Sequence, residues 1–103
     1  MSENINIFYT TFANMKDARA FSKKILKKKK IVCVNIIKSV ESYYKEKGKI
    51  ISNKEIILII KTFLKKIEIE KIIKQYHPYE TPFITKLKND SVNSDYLEWA
   101  KKL

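Results

Sequence analysis

Along this chain the spacing of apolar residues switches repeatedly between two and about three and a half, and each switch marks a new element. From Asn4 to Thr11, Ile5, Ile7 and Tyr9 alternate with Asn6, Phe8 and Thr10, which predicts a short first strand with one apolar and one mixed side. Asn14 followed by Asp17 reads as a helix start, with a side-chain acceptor for free amides and an acid in the first turn. Ala18, Phe21, Ser22, Ile25 and Leu26 then recur at helical spacing with lysines between them, so the spacing predicts a helix from about 15 to 29. Ile31-Val32-Cys33-Val34-Asn35-Ile36-Ile37 is β-branched and nearly all apolar, as in a strand covered on both faces, and the extended pattern continues to Tyr44.

Gly48, the only glycine, stands between two strand-like runs and reaches φ > 0 without steric cost, which predicts a hairpin turn. The return strand runs from Lys49 or Ile50 to Thr62, with an irregularity expected near Ser52-Asn53. Arms of this length exceed the ~5–6 residues of an ordinary strand, so the tip should project and seek a partner. Ile69, Ile72, Ile73 and Tyr76 predict a second amphipathic helix, ended by His77-Pro78. Pro82 to Lys88 reads as an edge strand, and after a polar loop Tyr96, Trp99, Ala100 and Leu103 share one face of a closing helix. The order β-α-β-β-α-β plus a terminal helix predicts a ferredoxin-like α+β fold in one domain over 1–103, with both main helices on one side of an antiparallel sheet. The other face stays uncovered, and exposed apolar surface with open strand edges predicts self-association.

Composition adjusts this picture in three ways. The 45% hydrophobic and 12% aromatic content suits a packed core in a chain of this size, not a disordered segment. The net charge of +11 suggests a polyanion, but only Arg19 of the 22 basic residues is arginine, the residue suited to bidentate phosphate and guanine contacts. Lysine rises together with isoleucine and asparagine, as an A/T-rich coding sequence would produce. No specific nucleic-acid partner is therefore expected, only nonspecific polyanion binding at low salt. Cys33 is the sole cysteine, which excludes an intrachain disulfide and a paired-cysteine zinc site and suits a reducing compartment. Met1-Ser2-Glu3-Asn4 lacks the features of a secretory or transit leader, and the run from Ile56 to Ile60 falls far short of the roughly 18 residues of a span. A soluble cytoplasmic protein with no membrane partner is expected.

The chemistry concentrates in His77-Pro78-Tyr79-Glu80-Thr81-Pro82, which holds the only histidine and both prolines. Proline stiffens this crossing, so its side chains should be held in place. His77 and Glu80 are candidate metal ligands or an acid/base pair. Lys61, Tyr79, Tyr96 and Trp99 are candidates for holding a small anionic molecule in a crevice between subunits. Blander roles compete with each. Strong transition-metal sites gather three or four ligands, so a lone histidine more often stiffens a turn through hydrogen bonds. Tyr96, Trp99 and Leu103 fit interface packing, and Cys33 fits an inert core thiol. No nucleophile elbow, phosphate-cradling glycine loop or metalloprotease motif is present, so no enzymatic activity is expected.

Val34-Asn35-Ile36-Ile37, Tyr44 with Gly48-Lys49-Ile50, Ile59-Ile60-Lys61-Thr62, His77 to Pro82, and Asp95-Tyr96-Leu97-Glu98-Trp99 follow one another as in the CutA divalent-ion tolerance family. The chain from Ile5 to Leu103 resembles that family. The resemblance implies a tight homotrimer whose long hairpins pair between subunits and whose last helix packs on a neighbour. It also implies tolerance of divalent metals, notably copper, served by binding or scaffolding, with copper or another divalent cation held near His77 and Glu80. Some bacterial members are ascribed a first-strand cysteine and a histidine pair as ligands; here Tyr9 and Tyr76 stand at two of those positions and His77 at the third. The family's usual hairpin tryptophan is Glu46. Two other readings remain: a trimer binding a small molecule or signalling ligand in the inter-subunit crevice, and a nonspecific nucleic-acid accessory protein.

Overall fold

Asn14 opens the first helix as its pattern predicts: its side-chain oxygen accepts the Asp17 amide at 2.8 Å and its side-chain nitrogen donates to the Asp17 carboxylate at 3.1 Å. The computed structural model describes residues 4–103; Met1, Ser2 and Glu3, which carry most of the leader reading, lie outside them. The elements are β1 (Asn6–Phe12), α1 (Met15–Ile25), β2 (Ile31–Glu46), β3 (Lys49–Thr62), α2 (Lys66–Tyr76), β4 (Ile84–Leu87) and α3 (Ser94–Lys101). At the start of α2 the Glu68 carboxylate reaches back to the Lys65 amide at 3.1 Å. At its end the His77 amide still bonds the Ile73 carbonyl at 2.8 Å before Pro78 diverts the chain.

The four strands form one antiparallel sheet in the order β2-β3-β1-β4, the arrangement of a ferredoxin-like fold. Lys47 (φ 49) and Gly48 (φ 78) make the two-residue turn between β2 and β3, with Glu46 opposite Lys49. Positive φ at both central positions matches the twist of the paired arms. One sheet face supplies Phe8, Phe12, Ile56, Leu58 and Ile60 to the core, where they meet Ala18, Phe21 and Ile25 of α1 and Ile69 and Ile73 of α2. Both main helices therefore cover this side. A smaller cluster, Ile5, Val32 and Ala100 with Phe63, Tyr96 and Leu97 against it, anchors α3.

Several expectations shift. The core side of β1 is the Phe8, Thr10, Phe12 row, each 0% exposed, while Ile7 and Tyr9 are half-buried on the face that the helices leave open. Alternation alone fits either face; the two buried phenylalanines carry more apolar area and take the covered side. Helix α1 ends at Ile25, not near 29: Leu26 is already 43% exposed and only lysines follow it before Ile31, so a further turn would have no apolar face to bury. The chain tightens through Lys27 and Lys28 amides bonding the Lys24 and Ile25 carbonyls, then reverses at Lys30 (φ 73). Strand β4 is shorter than the expected Pro82 to Lys88.

Strand β2 is not covered on both faces: it is the edge of the sheet, and Ile37 is 44% exposed. The expected irregularity near Ser52-Asn53 lies instead on the partner strand. Ile37 pairs with Ile57 but Val40 pairs with Glu55, so Lys38 and Ser39 (φ 57) oppose one residue in a bulge. A second bulge at Val32 separates the pairs Ile31–Thr62 and Cys33–Lys61. Below the outer bulge, Cys33, Asn35 and Ile37 share the open face; beyond it, Val40, Ser42 and Tyr44 do.

Candidate functional site

The open face carries three cross-strand rows: Asn35–Ile59–Tyr9–Thr85 and Ile37–Ile57–Thr11, away from the helices, and Cys33–Lys61–Ile7–Leu87, at the end where α3 meets Cys33 and Lys61. Isoleucine dominates the central strand of these rows, and its side chains there are only half-buried. At the hairpin end the bulge-shifted Tyr44 joins Asn53, Glu55, Tyr79, Phe83 and Thr11 around a cavity of about 820 Å³. Within it the Tyr79 hydroxyl donates to the Glu55 carboxylate at 3.2 Å, and the Asn53 side-chain amide donates to the Tyr44 hydroxyl at 2.6 Å. Tyr9 packs edge-on against Phe83 with ring centroids 5.9 Å apart. Burial, then the charge and hydrogen bond of Glu55, with Tyr44 adding to it, push the Tyr79 phenol up to about 12. Tyr79 is therefore a neutral donor at physiological pH.

His77 lies behind this wall. Its Nε2–H donates to the Thr11 carbonyl at 2.7 Å, and its Nδ1 accepts the Tyr79 amide at 3.1 Å. A carbonyl can only accept and an amide can only donate, so these two bonds define one neutral tautomer. The ring is stacked on Phe12, centroids 4.1 Å apart at 22°, and is 8% exposed. Burial holds its pKa below the ordinary histidine value, against the opposing pull of the Thr11 carbonyl and the Asp17 charge. Both ring nitrogens are thus engaged by backbone, and neither has a lone pair free for a metal.

The sequence-derived candidates do not converge in one chain. Tyr79 lines the cavity, and Glu80 lies exposed beside it in the loop. Lys61 stands six residues along β3 from Glu55, roughly 20 Å at strand rise, with its ammonium 5.3 Å from the Tyr96 ring centre. Tyr96 in turn contacts Trp99, which is 51% exposed. Within one chain Lys61, Tyr96 and Trp99 stand toward one end of the sheet and Tyr79 toward the other, so a crevice between subunits holding all four would draw them from more than one copy. Among the described residues no group of three or more His, Cys, Asp or Glu side chains gathers as metal ligands. Cys33 is half-buried against the α3 cluster, and Tyr9 and Tyr76 lie on opposite sides of the sheet, so one chain offers no fit for a copper site. Glu55 and Asn53 were missed in the sequence. Their signal was present: both fall at the odd positions of β3 shared by Ile57 and Ile59, a polar end to an apolar stripe.

An open-faced ferredoxin-like sheet, a long projecting hairpin and a stiff His-Pro-Tyr-Glu crossing that walls a polar cavity define a small α+β domain. The sequence model of the CutA1 divalent ion tolerance protein family matches residues 6–103, and the chain belongs to that family. It is similar to the divalent-cation tolerance protein CutA of Thermococcus kodakarensis, 38% identical over 94% of this chain and 93% of that one. The CutA of Thermotoga maritima is 36% identical over 93% and 95% of the two chains. Among solved structures, CutA1 from Ehrlichia chaffeensis superposes with a TM-score of 0.87 at 30% identity, covering 99% of this chain and 96% of that one. Pyrococcus horikoshii CutA gives 0.84 at 37% identity, covering 95% and 96%.

Proposed function

We propose that this chain serves divalent-cation tolerance, with copper the foremost cation, as a cytoplasmic homotrimer that binds or scaffolds and does not catalyse. The observation that carries the reading is the open sheet face, where Tyr9, Ile57 and Ile59 form a continuous apolar surface away from the helices. Burying such a face stabilises an assembly by about 25 cal/mol per Å² of apolar area. The number three rests on the resemblance to the CutA family, and the link to divalent cations on the names its members carry. A single chain brings two carboxylates to the cavity region, Glu55 in its wall and Glu80 exposed beside it, too few for a closed site. A cation would therefore draw its oxygen ligands from more than one copy, with Glu80 and Glu55 as contributors and His77 as the support that holds the Tyr79 turn.

Light scattering together with copper titration tests this reading. A stable species at three times the 12.2 kDa chain mass, taking up Cu²⁺ in a manner weakened by Glu80→Gln or Glu55→Gln, supports it. A folded species at the mass of one chain under micromolar dilution overturns it.

A small-molecule reading is favoured by one observation, the aromatic and polar lining of the cavity. Tyr44, Tyr79 and Phe83 offer flat surfaces, and Asn53 and Glu55 fixed polar atoms, in a space of ligand size. Thermal-shift screening against small ions and metabolites separates it from metal capture.

A further inference from the structure

The chain's positive charge is segregated. Between Asp17 and Glu41 stand eight basic residues and no acidic one, so that stretch carries eight of the eleven net charges. A biased coding composition explains how many lysines there are but not why the acids are excluded here. In the fold this stretch runs from α1 through the 26–30 turn, and the Lys30 carbonyl accepts bonds from the Phe63 amide and the Thr62 hydroxyl, each at 2.7 Å. Those bonds bring the turn beside the start of α2, where Lys65 and Lys66 add to the same end of the molecule, opposite the Gly48 tip. Lys23, Lys27, Lys29, Lys30, Lys65 and Lys66 are all exposed. The neighbouring carboxylate, Glu68, is turned back onto the Lys65 amide.

Two apolar side chains stand exposed among these lysines: Leu26 at 43% in the turn and Ile67 at 65% in the first turn of α2. Tyr76 is half-buried with the Lys24 and Lys28 ammonium groups 4.7 and 5.6 Å from its ring centre, and Phe63 is part-buried against the α3 cluster, so neither ring stands free for base stacking. We propose that this end of the molecule is a docking surface for an anionic lipid membrane, with the lysines meeting headgroup phosphates while Leu26 and Ile67 enter the headgroup layer. Clusters of four to eight lysines are the size that binds an anionic leaflet, and flanking apolar residues distinguish a lipid surface from a nucleic-acid backbone. The expectation of no membrane partner rested on the length of apolar runs, which bears on spanning and not on surface contact. The patch is built on the turn after α1 and the start of α2, the two helices that cover the core side, and not on the rows of the open face.

Vesicle co-sedimentation at about 0.1 M salt tests the proposal, using phosphatidylcholine alone and phosphatidylcholine with about a third phosphatidylglycerol. The full chain should sediment with the anionic vesicles and stay in solution with the neutral ones. The combined variant Lys23→Gln, Lys27→Gln, Lys29→Gln and Lys66→Gln should lose about tenfold or more of that binding. Ile67→Ser, at an exposed site where folding is undisturbed, should lose several-fold with no change in charge. Absence of binding to anionic vesicles overturns the proposal. So does Ile67→Ser binding like the parent protein, or duplex DNA competing on equal terms, which would assign the patch to nucleic-acid phosphates.

Discussion

His77 and Phe12 stack face to face, centroids 4.1 Å apart, joining the end of α2 to the end of β1. The stack sets the imidazole edge-on to two backbone groups, the Thr11 carbonyl and the Tyr79 amide. The side chain that looks most like a metal ligand is thereby a brace between the core and the cavity wall.

Replacing His77 by alanine removes the stack and leaves both backbone groups unpaired. The expected loss is about 2–4 kcal/mol, combining a cavity with unsatisfied polar groups. Chemical denaturation measures it. Heats of Cu²⁺ binding to the folded fraction should match the parent protein; a loss of copper uptake with stability intact would restore His77 as a ligand.

The same residue sets an acid response. Its folded pKa lies below the unfolded value of 6.5, so on acidification the unfolded chain takes up the proton first. Stability is complete above 6.5 and declines as pH falls through the lowered folded value. The His77→Gln variant should lack that part of the slope, as followed by denaturant midpoints from pH 8 to 4.

Tyr79 responds in the opposite direction. With a folded pKa pushed up to about 12 from 10.0, the phenol ionises first in the unfolded chain. Stability is complete below 10.0 and is lost as pH rises toward 12. Tyr79→Phe should flatten this alkaline loss and cost about 1 kcal/mol at neutral pH through the bond to Glu55. Ultraviolet phenolate titration should show a late-ionising step in the parent that Tyr79→Phe removes.

Ile59→Lys places a charge in the middle of the open face, beside Tyr9 and Asn35. A charge buried without a partner costs several kcal/mol, so association should weaken sharply while the helix-side core stays folded. Light scattering should show the 12.2 kDa chain, with an unchanged far-ultraviolet spectrum.

Gly48→Ala tests the hairpin turn. No atom lies within 4 Å of the added methyl, so the cost comes only from holding φ at +78. About 1 kcal/mol is expected. A much larger loss would mean that the tip touches something the single chain does not show.

The element order was legible because each element announces itself locally: Asn14 with Asp17, Gly48, and Pro78 all act within a few residues. The core face of β1 was not, since Ile5, Ile7 and Tyr9 alternate as cleanly as Phe8 and Phe12, and only packing against Phe21 and Ile25 decides between them. The family and its His77-to-Pro82 crossing were readable as a motif. What His77 does was not, because the Thr11 carbonyl that engages it is 66 residues away and has no side-chain signature. The grouping of Lys61 with Tyr96, and of Tyr79 with Glu55, depends equally on three-dimensional spacing.

The doubled position at Lys38 and Ser39 has a reach beyond its own neighbourhood. Side-chain direction along an extended arm is a matter of parity, and one surplus residue inverts the parity of everything distal to it. Tyr44 meets Asn53 on the cavity side only because of that inversion. Were Lys38 and Ser39 to alternate as regular strand residues, Tyr43 would turn toward the cavity and Tyr44 away from it, whereas deleting Ser39 would remove only the surplus residue and leave Val40, Ser42 and Tyr44 facing as they do. The facing of the cavity wall is therefore set by whether the arm absorbs one residue, a setting that Ile31, Val34 and Ile36, the β2 residues packed in the helix-covered core, do not share.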